Sequence, residues 1–271
     1  MGNTMKFLYK KMWVIGLFIA VLQSVHADIQ SIQPSETVLK NILHRGILNV
    51  CTTGDYKPYS LLKADKTYEG IDISMADALA KSLGVKVNYV PSTWKGLTTD
   101  VVTGKCDIAM GGVSVTLVRQ QQTFFSERID VDGKVPFVRC NDVDKYQSIA
   151  QINQSSVRVI EPLGGTNEAF AHKYLPQSNL VLTPDNVSIF QQLVDKKADV
   201  MITDASEALY QRKFYPSLCA VNTRNPMQYG EKAYMLPMGD ITWKLYVDQW
   251  LHLMKETGEY KKITQALVSY E

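Results

Sequence analysis

Asp204 and Glu207 stand three residues apart, just behind the short apolar run 199–202. Two chemistries fit that spacing. A D-x-x-E pair opening a helix is a capping-box pattern, the first acid capping the helix and the second reaching back. The carboxyl end of a buried strand is also where α/β proteins place ligand sites, and an acid shielded from water there can serve as a general acid. The spacing alone leaves both open. Arg119 follows the Gly111-Gly112 strand end by one short loop. Its planar fork suits a carboxylate held by two parallel hydrogen bonds, with an ordinary surface arginine as the alternative. Gly164-Gly165-Thr166-Asn167 precede a helical segment. There the glycines let backbone approach a ligand, and the helix start offers free N–H groups to an anion. The same run also makes an ordinary turn and cap, and it lacks the lysine of a phosphate-binding loop. Tyr56 and Trp94, each just after a strand-like run, would form apolar walls, although Trp94 fits a packing role equally well. Lys134 lies on the extended segment 133–139. It is a candidate for a substrate carboxylate or a partner for Glu207, or else a solvated hinge lysine.

These residues need a scaffold, and the chain alternates strand-like and helix-like segments as α/β proteins do. Strands are predicted at 47–52, 85–90 and 107–112, with helices at 73–83 and 95–103; Gly84 stops the first helix. The grammar recurs with strands at 157–160, 179–182 and 199–202 and helices at 167–174 and 187–196. Two similar units result, roughly 40–130 and 141–220, joined by the extended segment 133–139. A further apolar run at 231–236 and amphipathic helices at 242–255 and 260–268 follow. The economical arrangement has the chain cross to a second lobe and return to complete the first. Two crossings make a hinge, with the site in the cleft between lobes.

The chain has 271 residues, 45% hydrophobic and 21% charged, which is globular and excludes disordered and fibrous classes. The formal charge of +2 gives no reason to expect nucleic acid as a partner. That sign belongs to the first 27 residues. Lys6, Lys10 and Lys11 precede the apolar run 12–22, about half of what a membrane span needs, and Val25-His26-Ala27 offers a cleavage site. An exported protein without stable membrane insertion is therefore expected. Cleavage removes three lysines and no acid, turning +2 into −1. Export permits disulfides. Cys140 and Cys219 each adjoin an apolar strand-like run in the second half and are the expected pair, whereas Cys51 and Cys106 are expected to remain small buried thiols. No C-x-x-C and no histidine spacing suggests a metal site. Oligomeric state cannot be read.

Several segments carry a family resemblance. Gly70-Ile71-Asp72-Ile73-Ser74-Met75-Ala76 resembles the G-F-D-x-D signature of periplasmic solute-binding proteins for polar amino acids. Ser114-Val115-Thr116 with Arg119, then Phe125-Ser126, is similar to their T-x-x-R…F-S stretch. The segments 52–58, 164–168, 184–187, 189–192, 203–208 and 246–252 resemble an enzymatic offshoot, the periplasmic cyclohexadienyl dehydratases. The resemblance implies a two-lobe periplasmic binding protein fold of the α/β class. Lobe one would take 28–135 plus 230–271, lobe two 136–229, with two hinge-crossing strands and a cleft between. It implies a carbon–oxygen lyase in the periplasm that needs no cofactor and turns prephenate into phenylpyruvate or arogenate into phenylalanine. Glu207 would be the general acid, and Tyr56, Trp94, Ser114, Arg119, Lys134, Gly165, Thr166, Asn167 and Asp204 would bind a small dicarboxylate. Glu207 must then stay protonated near neutral pH. The helix N-terminus opposes this, whereas desolvation and the charge of Asp204 favour it, and desolvation is expected to win. Thr116 stands where the dehydratases commonly carry asparagine, which leaves the choice between the two substrates open. The competing function is a non-catalytic amino-acid receptor of an ABC importer.

Overall fold

The computed structural model describes residues 37–267, so the expected leader at 1–27 lies outside the described residues. Runs rich in Val, Ile and Leu form the strands, because branched side chains pack well on a pleated, buried surface. In chain order, β1 (Ile47–Thr52), β2 (Asp55–Tyr56), β3 (Ser60–Leu62), β4 (Tyr68–Glu69), β5 (Lys86–Pro91), β6 (Ile108–Ala109) and β7 (Thr123–Phe125) precede the long strand β8 (Asp130–Arg139). After it come β9 (Arg158–Pro162), β10 (Asn179–Thr183), β11 (Val200–Asp204), β12 (Leu218–Ala220), β13 (Gln228–Lys232) and β14 (Met235–Pro237).

The larger strands build two sheets, giving the α/β architecture of two sheet-rich lobes. The first sheet has the order β5-β1-β6-β14-β7; β5 and β6 flank β1 in parallel, and β14 inserts antiparallel between β6 and β7. The second has the order β10-β9-β11-β8-β12, and β13 also pairs with β8 on the edge away from β11. β8 leaves the first sheet after β7, and β13 leads back to it before β14. These two crossing segments are hydrogen-bonded to each other from Gln228↔Lys134 to Lys232↔Asp130. The expected lobe boundaries at 135/136 and 229/230 thus fall inside two paired strands. The small antiparallel sheet β2-β3-β4 was not expected, because strands of two or three residues are too short to show a period.

Side-chain alternation explains why the second sheet is apolar on both faces. Val135, Phe137 and Met201 join Phe190 and Leu193 on one face, while Val138, Val200 and Ile202 join Val159 and Phe170 on the other. Helices cover both faces, so each apolar face is buried. In the first lobe, Leu48, Val50 and Ile108 pack with Leu79 of the helix Ile71–Leu83. The long helix Ile241–Glu256 adds Trp243, Val247, Trp250 and Leu251 to that core, so the C-terminal segment completes lobe one.

The cysteines require a correction. Cys140 is bonded to Cys219, the expected pair, but Cys51 and Cys106 are also bonded, with Cα atoms 5.6 Å apart. Expecting thiols there overlooked topology: β1 and β6 are parallel neighbours, and Cys106 lies just before β6.

Candidate active site

Asp204 is the last residue of β11, and the chain turns at once into the helix Ala205–Gln211. It occupies the N-cap position, yet its side chain makes no capping bond, so the capping box is not formed. The Ser206 N–H and hydroxyl instead donate to Asp132 of β8, at 3.2 and 2.5 Å. Released from capping, the Asp204 carboxylate meets three donors. Lys134 Nζ lies 2.8 Å from Oδ1; the Tyr56 hydroxyl donates to Oδ2 at 2.6 Å, and Lys232 Nζ also bonds Oδ2. Strand register delivers Lys134, which sits opposite Asp204 in the β8–β11 pair and so shares its face. Lys232 comes from the end of β13, where it bridges to Ser114 and donates to the Ser114 hydroxyl at 3.0 Å. Burial by itself would raise the Asp204 pKa, but Lys134 and Lys232 together hold it well below the usual carboxylate range.

Glu207, one turn later, is fully buried. Thr203 donates to its Oε2 at 2.5 Å, while Oε1 has no protein partner among the described residues. Burial pushes its pKa up to about 8; the Thr203 bond works against that rise and the Asp204 charge adds to it. Desolvation therefore outweighs the Thr203 hydrogen bond and the attraction of Lys232, and the group is protonated at neutral pH. Glu207 stands behind the cavity wall, linked to it through Thr203, whose hydroxyl also lies 3.5 Å from Asn167 Nδ2.

The cavity in front is lined by Tyr56, Trp94 and Ser114 from the first lobe and by Gly165, Thr166, Asn167 and Asp204 from the second. Gly112, Asn186 and Lys232 complete its polar wall. Tyr56 and Trp94 meet edge to face at 5.4 Å, and Trp94 Nε1 donates to Asp55 at 3.1 Å, so the indole both packs and is anchored. Gly112 and Gly164 are needed where they are. A Cβ on Gly112 would sit 2.5 Å from the Tyr56 ring, and one on Gly164 2.8 Å from the Lys95 backbone nitrogen. Both have left-handed backbone, φ +75° and +89°. The Gly164–Gly165 corner thereby rests directly on Trp94 and Lys95 of the other lobe.

Lys134 is not a solvated hinge lysine: it is buried and bonds Asn167 Oδ1, Thr166 Oγ1 at 2.9 Å and Asp204. It has no hydrogen bond to Glu207. It lines a second, adjoining cavity with Thr116, Lys173 and Tyr174, which shares Ser114, Thr166 and Asp204 with the first. Arg119 is buried too, on the short helix Leu117–Gln120, and lines neither cavity. Its Nη1 donates to the Ser114 carbonyl at 2.8 Å, and among the described residues it makes no ion pair. Burial pushes its pKa down to about 10, with Asp204 resisting, so it remains charged at neutral pH. Thr116 caps that helix, accepting from the Arg119 N–H at 3.2 Å. Its hydroxyl therefore positions the Arg119 loop.

Sequence reasoning missed Lys232 and gave Asn186 no site role. Lys232 was hidden inside the apolar run 231–236, although a single lysine in such a run was a usable signal. Asn186 donates to the Asp55 carbonyl at 3.0 Å, tying the lobes together, and no local pattern announces that contact.

Comparison with known proteins agrees with this arrangement. The family model for bacterial extracellular solute-binding proteins, family 3, matches residues 48–268. The chain is 45% identical over 240 residues, 89% of each protein, to a cyclohexadienyl dehydratase of Pseudomonas aeruginosa. Among solved structures it is similar to an ancestral amino acid-binding protein that is a precursor of cyclohexadienyl dehydratase, with 35% identity, TM-score 0.79, and coverage of 85% of this chain and 99% of that one. An ancestral cyclohexadienyl dehydratase is 47% identical, with TM-score 0.54 and coverage of 86% and 97%. With most of its length matched by the family model and nearly half its residues shared with one curated member, this chain belongs to the bacterial extracellular solute-binding proteins, family 3.

Proposed function

We propose that this protein is a cyclohexadienyl dehydratase of the periplasm, a carbon–oxygen lyase built on the solute-binding scaffold. Its substrates would be the dicarboxylates prephenate and arogenate. Each carries a ring carboxylate and a ring hydroxyl on a cyclohexadiene. The ring becomes aromatic when carbon dioxide leaves and the hydroxyl departs with a proton as water. A prephenate dianion plus one proton thus gives a phenylpyruvate anion, carbon dioxide and water. The bond from ring to carboxylate supplies the electron pair that forms the new ring double bond.

The observation that carries this reading is Glu207, an acid held protonated at neutral pH by burial, beside a cavity rich in cations. In this reading its carboxyl turns past Asn167 to give its proton to the leaving hydroxyl, and it regains one from solvent once the product leaves. Arg119 and the N–H groups at the Thr166–Tyr174 helix start would hold the carboxylates, and Lys134, bonded to Thr166 and Asn167, would add positive charge beside them. Tyr56 and Trp94 would flank the ring. A receptor that only binds has no use for a buried proton donor, and the identity to a curated dehydratase favours the enzyme. Incubating the purified mature protein with prephenate and following phenylpyruvate by its absorbance in alkali tests the proposal. Product formation is expected; no product together with tight binding of an amino acid would support the receptor instead.

A further inference from the structure

A general acid that gives up its proton must be recharged after every turnover, and the inner cavity is a poor source. Its one lining carboxylate, Asp204, is held ionised by Lys134 and Lys232. Thr203 and Asn167, which stand between Glu207 and that cavity, are neutral groups. Glu207 is fully buried, and its Oε1 has no protein partner among the described residues. An outer pocket lies between the lobes, lined by Asp55, Lys57 and Leu61 from lobe one and by Val187, Gln211 and Phe214, among others, from lobe two. Gln211 follows Glu207 by four residues in the helix Ala205–Gln211, so the two share one helix face. The pocket therefore reaches the face that carries the acid.

Asp55 joins the two sides. Its carboxylate accepts from Trp94 Nε1 at 3.1 Å, its carbonyl accepts from Asn186 at 3.0 Å, and Tyr56 is its neighbour in β2. Those three residues line the inner cavity, whereas Asp55 lines the outer pocket, where it is the sole carboxylate among the described lining residues. Lys57 holds its ammonium 4.6 Å from the Phe214 ring centre in the same pocket. Burial raises the Asp55 pKa, with the Asp185 charge adding to the rise, so protonating it costs less than for an exposed aspartate. Burial is also the main cause of the Glu207 rise, and Asp55 contributes to it by its charge, which puts the two carboxyls within Coulomb reach.

We propose that Asp55 relays protons from solvent to Glu207 through the outer pocket, so that the acid is recharged from behind the cavity rather than through it. The purpose of the relay rests on the dehydratase reading, but the proton path does not. A protonated buffer gives its proton to an Asp55 oxygen. Asp55 passes it through pocket water to Glu207 Oε1, and the carboxylate left by the reaction becomes a carboxyl again. The transfer runs downhill, because Glu207 holds a proton more tightly than an aspartate of nearly ordinary pKa.

Asp55→Asn keeps an acceptor for Trp94 but carries no proton, and it supplies the test. With prephenate in excess, the variant should release one phenylpyruvate per site in a burst and then run slower than the burst by about tenfold or more. Small acids such as imidazolium should restore the slow phase in proportion to their concentration. An unchanged steady rate, a burst slowed in parallel with it, or no rescue by imidazolium overturns the relay. A second measurement needs no turnover. The infrared carbonyl band of protonated Glu207, identified by its loss in Glu207→Gln, shifts on transfer to heavy water. That shift should be slower in Asp55→Asn than in the wild type by about tenfold or more. Val187→Trp, which fills the outer pocket from its rim, should slow it likewise and serves if Asp55→Asn does not fold. If the wild type forms no product, the dehydratase reading fails and the band decides alone. Exchange as fast in the variants as in the wild type overturns the relay whatever the turnover.

Discussion

Replacing Glu207 by Gln separates the acid's work from its structural cost. The amide keeps the volume and can still accept from Thr203, but it has no acidic proton. General acids contribute about 10²–10⁴ in rate, so turnover should fall by that factor, or about 3–5 kcal/mol of barrier. Stability should move the other way. An unfolded glutamate titrates near 4.5 and the folded Glu207 near 8. Between those values the folded chain binds a proton that the unfolded chain releases, so the penalty grows as pH rises through that window and levels off above about 8. At pH 7 it amounts to roughly 3 kcal/mol, and at pH 5 to less than about 1 kcal/mol. Glu207→Gln should therefore raise the urea midpoint by roughly 1 M at pH 7, with a much smaller gain at pH 5. The same titration predicts that wild-type kcat/KM declines above about pH 8, as the acid loses its proton. Urea unfolding at the two pH values, paired with phenylpyruvate formation, measures all three effects. Equal stability gains at pH 5 and pH 7 would show that the carboxyl is not held protonated, and full turnover by the variant would remove Glu207 as the acid.

Other residues give independent checks. Arg119→Gln removes a buried cation that has no ion pair among the described residues; if it receives a substrate carboxylate, kcat/KM should drop about 10–100-fold with little loss of stability, as steady-state kinetics and melting would show. Gly112→Ala places a methyl 2.5 Å from the Tyr56 ring on left-handed backbone, so both the melting temperature and kcat/KM should fall. The two disulfides span 55 and 79 residues, and loops of that length stabilise by about 4 kcal/mol each through the unfolded chain. The unreduced, denatured protein should show no free thiol from Cys51, Cys106, Cys140 or Cys219, and dithiothreitol should lower the urea midpoint.

Much of the scaffold is local and was legible. The strands at 47–52, 179–183 and 200–204 and the helix Ile71–Leu83 announce themselves by period and by the glycine after the helix, since burial on one face or both writes directly into the order of residues. The pairing of Asp204 with Glu207 was visible as spacing, and family motifs attached a role to it. Spacing could not decide between a helix cap and a chemical site. That choice fell to Asp132, 72 positions earlier, which caps the helix in place of Asp204.

What only the tertiary structure decided depends on distant partners. Burial raises Glu207 and ion pairing lowers Asp204, although both are carboxylates three residues apart on one turn of chain. The difference comes from Lys134 and Lys232, which reach Asp204 from the two crossing strands and leave Glu207 without a counter-charge in contact. The order of residues fixes which groups exist and which face of a strand they share. Desolvation and Coulomb energy depend on what surrounds a group in space, so the proton on Glu207 and the charge on Asp204 are properties of the folded lobes.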